Sequence, residues 1–205
     1  MIASKSPQPI SKPAKKIPAQ LIYEIIDGQP FYRKGYKEVL AGKKNIVDIM
    51  GSSSLQAFII SFILKTLYKQ LDDQLYLVFT NEAGLHLDKG NNLAGDILIY
   101  ENQSLPIENI NENYFSLPPK IVIEVDISAE VPSLEVEGYV HNKTKKLLNF
   151  GVEKVIWITT VSKKVLIATK VSDWIIKDWD KAIEILPGLT FNIGQYLKDK
   201  GSKFA

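Results

Sequence analysis

The sequence predicts an α/β domain in which a central sheet is flanked by helices, with a β-hairpin near the N-terminus. Three observations predict it. Ile121-Val-Ile-Glu-Val-Asp-Ile127 is a short run rich in β-branched apolar residues, as in a strand covered on both faces. Leu55, Phe58, Ile59, Phe62, Ile63, Leu67 and Leu71 recur at spacings of three and four, the apolar face of a long helix. Further apolar strand patterns precede and follow a second helical stretch, Tyr139 to Phe150.

Taken in order, residues 1–19 are rich in Pro, Ser and Lys and read as a flexible basic tail, leaving residues 20–205 as a single domain. Leu21 to Ile26 is β-prone, Asp27-Gly28 is a turn signal, and Pro30-Phe-Tyr-Arg33 returns as the second arm of a hairpin. Ser52-Ser-Ser54 supplies a cap for the Leu55–Leu71 helix; with no His-Asp partner pattern nearby, capping outweighs a nucleophilic serine. Gln56 in its first turn has two readings, one pointing into a cleft and one at the surface, and nothing in the sequence distinguishes them. Leu75 to Phe79 and Glu82 to Leu87 read as two strands, with His86 near the end of the second a packed or surface residue, and a catalytic base only as the minority reading. Asn91 to Gly95 reads as a polar loop entering the strand Asp96–Tyr100, and Glu101 to Leu117 as a long loop of the kind that borders sites. Ala129 to Gly138 reads as a mobile acidic connection. Val155–Thr159, with Trp157 in the core, and Lys164–Ala168 are further strands. Trp174 and Trp179 flank a short polar segment, placed to stack on bases, to seal a dimer contact or to pack at an edge. Asn192 to Leu197 suggests a final helix.

Composition removes several classes of function. The absence of cysteine excludes disulfides and thiolate metal sites, and two histidines make a zinc site a poor fit. A metal would be held by oxygen ligands, which favours Mg²⁺ or Mn²⁺. With 25 basic and 23 acidic residues, the net charge of +2 does not by itself announce nucleic-acid binding. No apolar stretch is long enough to span a membrane, and the N-terminus lacks the apolar core of a signal peptide, so a cytoplasmic location is expected.

The chemistry concentrates on four residues. Glu124 and Asp126 interrupt the central strand two residues apart, so in an extended chain they share a side. Two buried like charges are costly unless a divalent metal or a lysine compensates them. Asp96, at the mouth of its strand, offers a third carboxylate. Advancing about 100° per residue along the Tyr139 helix puts Leu147, Leu148 and Phe150 on one face and Lys143 beside it, while Lys145 points away. Lys143 therefore aims toward the sheet. Asp96, Glu124, Asp126 and Lys143 suit a hard metal held by oxygens with a lysine beside it, or an internal salt-bridge cluster with no chemistry.

This arrangement resembles the PD-(D/E)XK nuclease superfamily, and within it the restriction-endonuclease-like branch called the Uma-two family. The resemblance runs from about Tyr23 to Leu197 and is carried by Tyr23-Glu-Ile-Ile-Asp-Gly28, Gly95-Asp96-Ile, Ile121-Val-Ile-Glu124-Val, Lys143 followed by Gly151-Val-Glu-Lys-Val-Ile-Trp157, and Leu186-Pro-Gly-Leu-Thr190. It implies a mixed central sheet flanked by helices, a Mg²⁺ or Mn²⁺ cofactor, DNA as partner and a homodimer. It also implies Asp96, Glu124 and Lys143 as catalytic residues, with Asp96, Glu124 and Asp126 as metal ligands. Glu24 matches the early acidic residue that some of these nucleases use, although a solvated strand position is the plainer reading. The chain departs from the family in having Gly95 where Pro is usual, Ser52-Ser-Ser-Leu-Gln56 where a His is common, and Asp126-Ile-Ser where Leu-Ser-Pro is common.

Three functions fit these residues: a Mg²⁺-dependent DNA endonuclease, a catalytically inactive nuclease-fold module that binds nucleic acid or assembles with partners, and a metal-dependent hydrolase of some other substrate. The Asp96, Glu124 and Lys143 set points to the first. The near-neutral charge and the unusual Asp126 keep the second open, and a cleft too narrow for a duplex would point to the third.

Overall fold

The computed structural model describes residues 17–131 and 135–205. Most of the expected N-terminal tail, and the middle of the acidic connection before the Lys143 helix, lie outside those residues. The elements in chain order are β1 (Ile22–Ile26), β2 (Gln29–Tyr32), α1 (Tyr36–Leu40), α2 (Ser54–Gln70), β3 (Tyr76–Asp88), β4 (Asn91–Glu101), β5 (Ile121–Val125), α3 (Val136–Phe150), β6 (Lys154–Thr159), β7 (Lys164–Thr169), β8 (Ile175–Asp178), β9 (Ile183–Leu186), β10 (Leu189–Phe191) and α4 (Ile193–Asp199).

A mixed eight-stranded sheet runs β2-β1-β4-β5-β6-β7-β8, with β3 also paired to β4. Only β5 and β6 are parallel, with Glu124 opposite Trp157; the crossover between them contains α3. The β1–β2 hairpin forms as expected, turning at Asp27 and Gly28 with both in the left-handed region.

Alternating side chains of the central strands feed two cores. Ile97, Ile99, Ile121, Ile123 and Val125 pack with Ile59, Ile63 and Leu67 of α2 and with the β9–β10 hairpin and α4. Leu98, Tyr100, Val122, Val155 and Trp157 pack with Tyr139, Val140 and Leu147 of α3. Burial on both faces explains why β5 reads as a continuous apolar run. Ser53 caps α2 by accepting a hydrogen bond from the Gln56 N–H at 3.1 Å. Gly151, with φ of 133°, closes α3, and a Cβ there would sit 2.7 Å from Pro118.

Several expected boundaries shift. Leu75–Phe79 and Glu82–Leu87 are one strand, β3, bent by an irregularity between Thr80 and Ala83. The segment Asn91–Gly95 is not a loop: it is the start of β4, paired with β3 from Asp88–Asn91 onward and with β1 at Ile25–Asn92. Pairing on both sides overrides its polar, Gly-containing composition. Helix α3 begins at Val136, not Tyr139. The hairpin β9–β10 forms around Pro187-Gly188, in a stretch with too few residues to show strand alternation. Trp157 and Trp179 are core residues, and Trp174 stacks on His141 with ring centroids 5.7 Å apart.

Candidate active site

Strand β5 fixes the centre of the site. Val122 faces α3, and Glu124, two residues on, meets the Lys143 ammonium from that helix at 3.0 Å. Lys143 is 1% exposed and Glu124 2%. Helical periodicity thus aims Lys143 inward as the sequence predicts.

Strand β1 supplies an acid on the other side of the lysine. Glu24, expected as a solvated strand residue, is buried, and its Oε2 lies 2.9 Å from the Lys143 Nζ. The Tyr139 hydroxyl, one helical turn before Lys143, donates to Glu24 Oε1. Lys143 also donates a hydrogen bond to the Ala94 carbonyl at 2.9 Å, and the rings of Tyr23 and Trp157 lie 5.7 and 5.6 Å from its nitrogen. The Trp157 indole N–H in turn donates to Thr144 Oγ1 at 2.8 Å, fixing the ring against α3.

Asp96 joins from β4. It precedes Ile97 and Glu124 follows Ile123, and those two isoleucines are paired, so both acids lie at the same end of the β4–β5 ladder. The Val125 N–H donates to Asp96 Oδ2 at 2.7 Å. The buried Gln56 of α2 lies close to the same carboxyl group and favours its charged form. The two faces of the sheet therefore contribute helices to one site: α3 through Lys143 and α2 through Gln56.

Asp126 is placed differently from the expectation. It stands past the end of β5 with φ of 62°, so the extended-chain rule that would put it beside Glu124 does not apply. Its two carboxylate oxygens accept the Thr160 N–H and the Thr160 hydroxyl, each at 2.7 Å. The structure brings Asp96, Glu124 and Lys143 together and turns Asp126 toward the loop after β6.

The electrostatics follow from three buried carboxylates around one ammonium. Burial pushes the Glu124 carboxyl up to about 8, with Asp96 and Glu24 adding to the effect and Lys143 opposing it. Burial also raises Asp96, against the pull of the Val125 N–H and Lys143. Burial alone would lower Lys143, but Glu124 and Glu24 outweigh it and hold the ammonium well above the usual lysine range. Glu124 Oε1 and Glu24 Oε2 face that ammonium without a partner in hydrogen-bond geometry.

The arrangement can bind a small hard cation. Asp96 and Glu124 are oxygen donors at the same end of the β4–β5 ladder, and Glu124, ion-paired to Lys143 through Oε1, has a second carboxylate oxygen to offer an ion. Among the described residues, no group of three or more His, Cys, Asp or Glu side chains is arranged to hold an ion alone. The two-carboxylate set fits Mg²⁺, which usually keeps several waters and takes one or two carboxylates from the protein.

Sequence reasoning missed Tyr139, Gln56 and Thr160 and undervalued Glu24. The available signal for Glu24 was a lone acid between Tyr23 and Ile25-Ile26. Nothing local marks Thr160 or Gln56. Among the described residues, no helix is long and apolar enough to cross a membrane.

No family model matches the chain, and no curated protein matches its sequence. Among solved structures, the fold is similar to that of a protein from Anabaena variabilis described as a "putative nuclease belonging to DUF820", with a TM-score of 0.57 and 15% sequence identity over 85% of this chain and 89% of the other. At that identity the likeness is one of architecture: this chain has a nuclease-like α/β fold, a large mixed sheet flanked by helices.

Proposed function

We propose that this chain is a metal-dependent endonuclease that hydrolyses DNA phosphodiester bonds. The observation that supports it most directly is the buried cluster of Asp96, Glu124 and Glu24 around the single ammonium of Lys143, on a nuclease-like fold. A structural ion pair needs one acid per base; the surplus of acid, with Glu124 pushed up to about 8, suits a site completed by a cation.

Asp96 and Glu124 would hold Mg²⁺ or Mn²⁺. Such an ion, when bound, lowers the pKa of a water and offsets charge on the phosphoryl oxygens. The protein's own contribution is orientation. The Val125 N–H fixes Asp96, and the Lys143 ammonium holds Glu124. That ammonium has three protons and three protein oxygens within 3.0 Å. As placed, Lys143 holds carboxylates in position; to stabilise a phosphate oxygen it must release one of them. Glu24, itself anchored by Tyr139, keeps the lysine in the site while Glu124 serves the cation. A homodimer would suit cutting of both strands of a duplex.

The test is cleavage of supercoiled and single-stranded DNA with Mg²⁺ or Mn²⁺, comparing wild type with Glu124→Ala and Lys143→Ala. Metal-dependent cleavage that vanishes in both variants is the expected result. No wild-type cleavage, with no heat of Mn²⁺ binding by calorimetry, would overturn the reading.

The saturation of Lys143 by protein acceptors favours a second reading, a nuclease-fold module that binds nucleic acid without cutting it. DNA binding that is indifferent to metal and to Glu124→Ala would support it.

A further inference from the structure

Asp126 departs from the regular backbone at the edge of the site. It is a non-glycine residue in the left-handed region, with φ of 62°, a conformation that is strained for an ordinary L-residue and that Asp and Asn tolerate best. It directly follows Val125, whose N–H orients Asp96, and is two residues from Glu124.

Three bonds hold it there. The Asp126 N–H donates to the Ile158 carbonyl at 2.8 Å, continuing the β5–β6 ladder by one step. Its carboxylate then accepts both the N–H and the hydroxyl of Thr160, just past the end of β6. A carboxylate taking two donors from one residue is a directional, charge-assisted contact. The end of β5 is thus tied to the β6–β7 turn at the point where the chain leaves the sheet. Without that tie, the cost of the left-handed backbone would be relieved by fraying at the end of β5, where Val125 and its N–H bond to Asp96 stand.

We infer that Asp126 is a positioning residue: its clamp on Thr160 anchors the end of β5, where the Val125 N–H holds Asp96 and where Glu124 stands, and so keeps in place the Asp96–Glu124 pair that would receive a cation. The link to a cation rests on the endonuclease reading; the link from the clamp to Val125 does not.

The experiment uses the full chain and two readouts: hydrogen exchange of the Val125 amide by NMR, and Mn²⁺ affinity by calorimetry. The variants are Asp126→Ala, Asp126→Asn, Thr160→Val and Thr160→Ser. Asp126→Ala is expected to speed Val125 exchange about tenfold or more and to weaken Mn²⁺ by about 10- to 100-fold, the range seen when groups that orient metal ligands are removed, and Thr160→Val, which keeps the Thr160 N–H and loses the hydroxyl, to move both in the same direction by less. Asp126→Asn keeps the backbone preference and one acceptor and falls between, while Thr160→Ser keeps both donors and restores wild-type behaviour. If Asp126→Ala fails to fold, Thr160→Val carries the test. Unchanged Val125 exchange in Thr160→Val and Asp126→Ala overturns the proposal. So does loss of Mn²⁺ in Asp126→Ala with Thr160→Val unaffected, which would make Asp126 a ligand. A wild type that binds no Mn²⁺ overturns the cation part and counts against the endonuclease reading, while Val125 exchange still decides the clamp.

Discussion

Lys143 and Glu124 meet at 3.0 Å with both side chains removed from solvent, and Glu24 approaches the same ammonium from β1 at 2.9 Å. One base shared between two acids, with Asp96 close by, leaves the site short of positive charge. That imbalance sets how the protein should respond to mutation and pH.

Removing the lysine should be costly. Lys143→Met leaves three carboxylates with no ammonium, and breaking a buried pair typically costs about 3–5 kcal/mol. Urea denaturation should show that loss in a chelating buffer. Added Mn²⁺ should recover part of it if Asp96 and Glu124 receive the ion.

Glu124 makes stability depend on pH in the absence of divalent metal. Its folded-state value of about 8 stands above its ordinary 4.5, so the folded protein holds a proton that the unfolded chain has released between those values. The resulting stability is fully present below about pH 4.5 and is lost as pH rises toward 8. Raised Asp96 acts with the same sign. Melting temperature in chelator should fall from pH 5 to 8, with a slope in stability near ~1.4 kcal/mol per unit for one proton. Glu124→Gln should flatten the slope.

The Tyr139 hydroxyl bonds Glu24 within the core. Tyr139→Phe removes the donor and leaves a buried carboxylate oxygen without it, a loss of about 1–3 kcal/mol by chemical denaturation. In a double-mutant cycle with Glu24→Gln, the two changes should be strongly non-additive.

Gly151 joins α3 to the segment before β6 at a φ of 133°, and a Cβ there would meet Pro118 at 2.7 and 3.0 Å. Gly151→Ala combines backbone strain with a clash against a rigid ring. It should destabilise by about 1–3 kcal/mol in thermal unfolding. Gly188, whose Cβ position is open, serves as a control for strain alone, with a smaller effect.

How much was legible depended on the range of the signal. The apolar run at Ile121–Val125 and the three-and-four spacing of Leu55–Leu71 are local patterns, and both became the expected elements. Lys143 could be aimed at the sheet because helical geometry fixes direction relative to neighbours on the same helix. Glu24 could not be assigned, since its burial depends on a helix 119 residues later. Asp126 misled because strand alternation holds only while the strand continues, and β5 ends one residue before it. The β3–β4 ribbon was split in the sequence reading because its bend and its polar half carry turn-like composition, while pairing on both sides of β4 holds them extended.

The sequence by itself determined the α/β character and the absence of thiolate ligands, and it singled out Asp96, Glu124 and Lys143. These follow from residue type and short-range periodicity. Only the tertiary structure decided that Glu24 shares the lysine, that Gln56 reaches Asp96 from the other face, and that Asp126 turns to Thr160. Those relationships depend on which strands lie side by side and where each one stops, and sheet order and strand ends are set by the packing of the whole chain.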